Sequence, residues 1–227
     1  IEFARGLAVE WQYVDLAEEV LLALERKGGL SEELASELGL VKCEIYAEGA
    51  RREGDPDKRD QLYSKAVDAF RQYLDQNPRS AVIGEAQRGY VDVSNQYAQS
   101  LAKRYDEAVG DEAIALREQI TAVLEEALKY TSDLKDGLRG DGTEWPAEQK
   151  IEWARVMYAR GQMYHTLARI SDEGAFFYSQ AESTLEELAA RVGEKTPQGL
   201  MAYLELADVY LSQGRSQGAV DFAEFVV

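Results

Sequence analysis

Leu200-Met201-Ala202-Tyr203-Leu204-Glu205-Leu206-Ala207-Asp208-Val209-Tyr210-Leu211 sets apolar side chains at Leu200, Tyr203, Leu204, Ala207, Tyr210 and Leu211. Steps of three and four residues belong to one face of an α-helix, and no strand alternation fits them. Gly214 follows as a turn, and Ala219 and Ala223 then recur at a four-residue step in a second helix. The end of the chain is therefore a helical hairpin.

The same reading extends outward. Ala154, Met157, Gly161, Tyr164 and Ala168 share a face of Ile151–Ile170, with Glu152, Arg155, Arg160 and Arg169 on the others. Leu62, Ala66, Ala69, Phe70, Tyr73 and Leu74 form a similar stripe. The breaks have matching chemistry. Gly28-Gly29 ends a helix, and Ser31-Glu32-Glu33 offers a cap and an acidic first turn to the next. Asp55-Pro56 places a capping residue before Pro at the first helical position, and Gly193 with Thr196-Pro197 gives another stop and start. Asn77-Pro78 is a stop, with Ser80 as the cap that follows, and Gly110, Gly193 and Gly214 mark turns. Gly137 to Pro146 is the longest loop. About nine helices with short connections follow, which makes sequence neighbours antiparallel. The fold class is all-α.

Composition bounds what such a chain does. It has 227 residues with 25 Lys+Arg against 42 Asp+Glu, a net charge of −17. That balance opposes binding to nucleic-acid phosphates and to anionic membranes. No apolar run approaches the ~20 residues of a membrane span. Cys43 is the only cysteine, so an internal disulfide is excluded. No secretory signal is visible, and both ends read as cut from within helices, which points to a piece of a longer chain.

A repeat runs beneath the helices. A small residue followed four positions later by an apolar one recurs as Ala17/Leu21, Ala66/Phe70, Ala181/Leu185 and Ala219/Ala223. An Ala at a helix crossing lets two backbones approach, and the side chain one turn on fills the space behind it. These residues resemble the tetratricopeptide repeat family. Tyr203, Leu204, Ala207, Tyr210, Gly214, Ala219 and Ala223 follow its order of aromatic, Leu, small residue, Tyr, turn Gly and Ala. Ala66, Phe70, Leu74 and Pro78 look like the second helix and closing Pro of another unit, and Gly161, Tyr164 and Ala181 like a third with a lengthened turn. Asp15 to Leu21 looks like the end of a first unit, and Phe70 to Ser80 is similar to repeats of bacterial envelope-assembly and cell-division proteins. The spacing departs from the family's unit of about 34 residues, and the family's first-helix Trp has no clear counterpart. The resemblance implies one domain over residues 1–227. It would be a right-handed α-α superhelix of about four to five antiparallel pairs, near 1–27, 31–77, 80–138, 147–192 and 197–227.

Catalytic signatures are missing from the sequence. His165 is the only histidine, no G-x-S-x-G elbow accompanies it, and Cys43 sits in a plain amphipathic helix. His165 reads as a helix-surface or groove histidine and Cys43 as a small buried hydrophobe. Zinc spacing and a phosphate-cradling loop are also missing, so no cofactor and no metal are expected. Asp133, Asp141 and Glu144 mimic three positions of a calcium loop, but Lys135, Gly137 and Leu138 occupy others wrongly. Arg139-Gly140-Asp141 matches an adhesion tripeptide and reads as a chance match in a turn. Adjacent acids such as Glu186-Glu187 point about 100° apart on a helix and make no facing dyad.

A helical-hairpin array leaves an open concave surface lined by first helices. In the register the resemblance implies, Arg155, Tyr158, Gln162 and His165 face that surface from one helix, and Met201, Leu204, Asp208 and Leu211 from another. The expected function is a non-catalytic scaffold that holds a peptide or helix of a basic protein partner, in a bacterial envelope or cytoplasm. A regulatory or substrate-recruiting segment of a larger enzyme is the alternative. A helical enzyme in its own right ranks third, because no convergent polar groups are evident.

Overall fold

Several helices begin where a side chain satisfies their first amides. Ser31 Oγ accepts from the Leu34 amide at 3.2 Å, and Asp55 Oδ1 accepts from Asp57 and Lys58 ahead of Pro56. Thr196 Oγ1 accepts from Gly199 at 3.1 Å ahead of Pro197. A computed structural model describes residues 1–9, 13–137, 145–193 and 195–226. Among these residues the chain is all-helical, with no strand. The helices are α1 (Glu2–Val9), α2 (Val14–Lys27), α3 (Glu32–Arg52), α4 (Pro56–Gln76), α5 (Ile83–Tyr105), α6 (Asp111–Gly137), α7 (Ala147–Ile170), α8 (Gly174–Val192), α9 (Pro197–Ser212) and α10 (Ser216–Val226).

Two details differ from the punctuation read in the sequence. The break between α1 and α2 is additional: Tyr13 leaves helical dihedrals at φ −95°, ψ 66°, and its amide bonds back to the Leu7 carbonyl. Ser80 is not the residue before a helix. Its Oγ accepts from Val82 in a local turn, and α5 starts at Ile83. The same hydroxyl lies 2.9 Å from Ser36 Oγ and 3.1 Å from Tyr73 OH, so tertiary hydroxyl partners hold it. The calcium-like loop and the Arg139-Gly140-Asp141 tripeptide fall, apart from Asp133 to Gly137, outside the described residues.

Packing divides the chain into two compact units, Ile1–Ser100 and Leu101–Val227. In the first, α1 and α2 pack together and on α3, and α3 packs along α4. Ala4, Leu7, Ala8, Ala17, Leu21, Leu38, Val41 and Ile45 form one cluster there. Ala66 and Phe70 are buried on α4. A Cβ on Gly89 would sit 2.5 Å from the Phe70 ring, so a glycine is what admits that ring. Burying a side chain of this kind stabilises by roughly 1.5–3 kcal/mol.

In the second unit α7 is central, packed against α6, α8 and α9. It buries residues around most of its circumference, including Trp153, Met157, Met163 and Leu167, as a helix covered on three sides must. Gly161 marks its closest approach to α8. A Cβ there would meet Leu185 Cδ2 at 2.6 Å, and Ala181 and Leu185 are both fully buried. Arg160 ties α7 to α6 by donating to Thr131 and Ser132 at 3.2 and 2.9 Å. α9 packs on both α8 and α10. Phe222 stacks on Tyr203 and Tyr210 at 5.5 and 5.1 Å between ring centroids. Gly214, at φ 73°, lets the chain reverse into α10 while the Arg215 amide bonds the Tyr210 carbonyl at 2.8 Å.

Candidate functional site

The eight residues expected on a binding face lie on α7 and α9, which pack against each other as well as on α8. They fall into two groups. Arg155, Met201, Leu204, Asp208 and Leu211 are exposed. Met201, Leu204 and Leu211 keep 46%, 50% and 55% of their surface in solvent. Tyr158, Gln162 and His165 are half-buried and turn toward α9.

What they meet there is Glu205, which sequence reasoning did not single out. Glu205 Oε2 accepts from Tyr158 OH at 3.3 Å and from Gln162 Nε2 at 3.1 Å. Its Oε1 accepts from His165 Nδ1 at 2.8 Å. The other ring nitrogen of His165 lies 3.0 Å from Ser212 Oγ. The side chains of His165 and Glu205 are each only 12% exposed. Burial pushes the Glu205 carboxyl up, but the bonds from His165, Gln162 and Tyr158 outweigh it and hold the group below its ordinary value. Burial and the Glu205 charge together push the Tyr158 phenol up to about 12. The carboxylate is thus the ionised centre of a ladder joining two helices that are not neighbours in sequence. The signal in the sequence was weak: Glu205 lies one residue beyond Leu204 on a helix whose other acid is solvated.

Ser212, His165 and Glu205 have the connectivity of a nucleophile, base and orienting acid. Ser212 is the last residue of α9, where the helix presents carbonyls and the negative end of its dipole. The amides of Gln213, Gly214 and Arg215 are all spent on carbonyls of Val209, Leu211 and Tyr210. Gln213 Nε2 and the Arg215 guanidinium both donate to Glu182. The donors that follow Ser212 are therefore committed rather than aimed at an oxyanion.

A cleft lies elsewhere, in the first unit. It has a volume of about 850 Å³ between α3 and α4, lined by Ser36, Lys42, Tyr46, Lys65, Gln72 and Tyr73 among others. Its charges are internally matched. Glu18 accepts from Tyr46 OH at 2.6 Å and from Lys65 at 3.0 Å, Lys65 also lies over the Tyr46 ring, and Lys42 pairs with Glu25. Cys43, at its edge, is buried, donates to the Gly39 carbonyl, and has its thiol pushed up to about 12 by burial. A thiol in that state is no nucleophile at neutral pH. Among the described residues no helix is long and apolar enough to cross a membrane, and no group of three or more His, Cys, Asp and Glu is placed to hold a metal ion. No family model matches this chain, and no curated protein matches it either.

Proposed function

We propose that this chain is a non-catalytic, tetratricopeptide-like scaffold. In this reading its helix pairs continue as a right-handed α-α superhelix, and the face built by α7 and α9 holds a peptide or helix of a partner protein. The observation that carries the proposal is the exposed row Met201, Leu204 and Leu211 beside a ladder that locks α9 to α7. Large apolar side chains kept in solvent on a rigid support are suited to recognition, since little ordering is left to do when a partner arrives. The net charge of −17 favours a basic partner. The committed amides after Ser212 support the non-catalytic reading.

Affinity capture from the source lysate tests it, with wild type compared against Met201→Ser/Leu204→Ser/Leu211→Ser at low and high salt. A partner set held by wild type and lost by the folded variant is expected. Identical sets from both would sink the proposal. Labelling of Ser212 by a fluorophosphonate, abolished by His165→Ala, would overturn its non-catalytic part.

A further inference from the structure

The cleft between α3 and α4 stays open with helices on both sides of it in the chain: α1 and α2 come before, and α5 comes after. The second unit leaves a cleft of about 550 Å³ in the corresponding place, at α6 and the α7–α8 turn, although α9 and α10 follow there. Continuation of the helix series therefore does not close such a cleft. In the first unit its wall on α4 holds a row at four-residue steps, Ser64, Asp68, Gln72 and Gln76. Ser64, Gln72 and Gln76 make no hydrogen bond among the described residues, and Asp68 bonds only Arg71, at 2.8 Å. The lining charges cancel, Lys42 and Lys65 against Glu25 and Asp68, in a chain whose net charge is −17. We infer that this cleft is a second binding site, independent of the face on α7 and α9, for an extended, uncharged segment of a partner protein gripped by its backbone along the Ser64–Asp68–Gln72–Gln76 row.

Spacing and bonding capacity select that occupant. Each step of the row advances about 6 Å along the helix axis, four residues at about 1.5 Å each. An extended chain repeats its same-edge N–H and C=O every second residue, about 6.6–6.8 Å. Four side chains in step thus match about seven residues of extended chain. A carboxamide has both donors and an acceptor, so Gln72 and Gln76 each meet an N–H and a C=O; Asp68 accepts from an N–H, and the Ser64 hydroxyl serves either. A helix offers nothing to this row, since its backbone groups are spent on one another. Side chains of an extended segment alternate between solvent and the α3 side of the cleft. There Ala35, Gly39 and Cys43 follow at one-turn steps, with Tyr46 and Tyr73 beside them. Small apolar side chains fit that floor. Charged ones find no free countercharge, because Lys42 already pairs with Glu25, Lys65 with Glu18 and Asp68 with Arg71.

The test selects on the whole chain from a phage-displayed library of random peptides of about 12 residues, long enough for three helical turns or for the full row. Enriched peptides should lack Lys, Arg, Asp and Glu, and a synthetic copy of one should change its affinity less than about twofold between about 0.05 and 0.5 M salt. Gln72→Ala/Gln76→Ala weakens that peptide about tenfold or more. Ala35→Trp, which fills the floor from an exposed position, abolishes binding. Circular dichroism shows that both variants are folded. Methylating alternate amide nitrogens of the peptide isolates backbone recognition: methyls on one edge weaken binding about tenfold, and those on the other edge are tolerated. Met201→Ser/Leu204→Ser/Leu211→Ser leaves the peptide bound, so this site and the α7–α9 face stand or fall separately. No enrichment above background, a charged consensus, or unaltered affinity in Gln72→Ala/Gln76→Ala overturns the inference. Peptides lost in the Met201, Leu204 and Leu211 variant but indifferent to Ala35→Trp bind the other face and overturn it too. Equal loss from methyls on both edges, or apolar residues at helical spacing in the selected peptides, overturns the extended backbone grip.

Discussion

Replacing Glu205 by Leu should cost the second unit far more than the loss of one partly buried side chain. The carboxylate accepts three hydrogen bonds, from His165 at 2.8 Å, Gln162 at 3.1 Å and Tyr158 at 3.3 Å. Each neutral bond is worth about 1 kcal/mol, and a bond to a charged group about 1.5–3 kcal/mol. Most of the cost lies in what stays behind: Tyr158 and His165 lose the carboxylate they donate to, in a site where Glu205 was 12% exposed, while Gln162 keeps its bond to the Tyr158 hydroxyl at 3.2 Å. Removing one partner from such a cluster costs about 3–5 kcal/mol. Glu205→Gln keeps the shape and one acceptor oxygen, and should cost about 1–2 kcal/mol. Urea unfolding at pH 7, followed by far-UV circular dichroism, reads both values. A double-mutant cycle with Tyr158→Phe sharpens the test. Tyr158→Phe should destabilise the wild type by about 1 kcal/mol and cost less in the Glu205→Leu background, where the hydroxyl has lost its acceptor and keeps the bond it accepts from Gln162 at 3.2 Å. A Glu205→Leu protein within about 0.5 kcal/mol of wild type, the range of ordinary surface substitutions, would refute the ladder as a structural element.

The remaining expectations concern other parts of the molecule. Gly161→Ala should destabilise by about 1–3 kcal/mol in thermal or urea unfolding, although Ala is the better helix former, because its Cβ would lie 2.6 Å from Leu185; a stabilised variant would contradict the close approach. Ser94→Ala should be neutral or stabilising in the same assay, since Ser94 Oγ is fully buried without a hydrogen-bond partner among the described residues. Because the Glu205 carboxyl is held below 4.5, its contribution is fully present above that pH and is lost as pH falls through the lower folded value. Urea midpoints measured downward from pH 5 should therefore fall more steeply for wild type than for Glu205→Gln; parallel curves would remove the ladder from the acid response.

Helix limits were legible because they depend on neighbours in sequence. Ser31, Asp55 and Thr196 bond amides two or three residues away, and a capping side chain followed by Pro records that chemistry locally. The residues Met201, Leu204, Asp208 and Leu211 came from the register that the resemblance implies; periodicity alone set Leu204 and Leu211 in one apolar stripe with Ala207 and Tyr210, of which only the latter two are buried. Glu205 was not legible. Its role depends on the angle between α7 and α9, and a difference of one residue on a wheel decides whether an acid faces solvent or a neighbouring helix. Ser80 escaped for a similar reason: its hydroxyl has partners at Ser36 and Tyr73, whose proximity exists only once α3 and α4 have packed. The break at Tyr13 carries neither Gly nor Pro, so no local residue announced it.

The bonds between α7 and α9 have a consequence for the order of folding. α7 and α8 adjoin in the chain, as do α8 and α9, so those contacts close short loops and form early. Glu205 meets His165 only across the whole of α8, after both hairpin contacts have set the spacing of the outer helices. The ladder therefore belongs to the downhill side of the folding barrier. Loss of Glu205 should accelerate unfolding and leave the refolding rate nearly unchanged, so the ladder sets how long the assembled unit lasts rather than how quickly it forms.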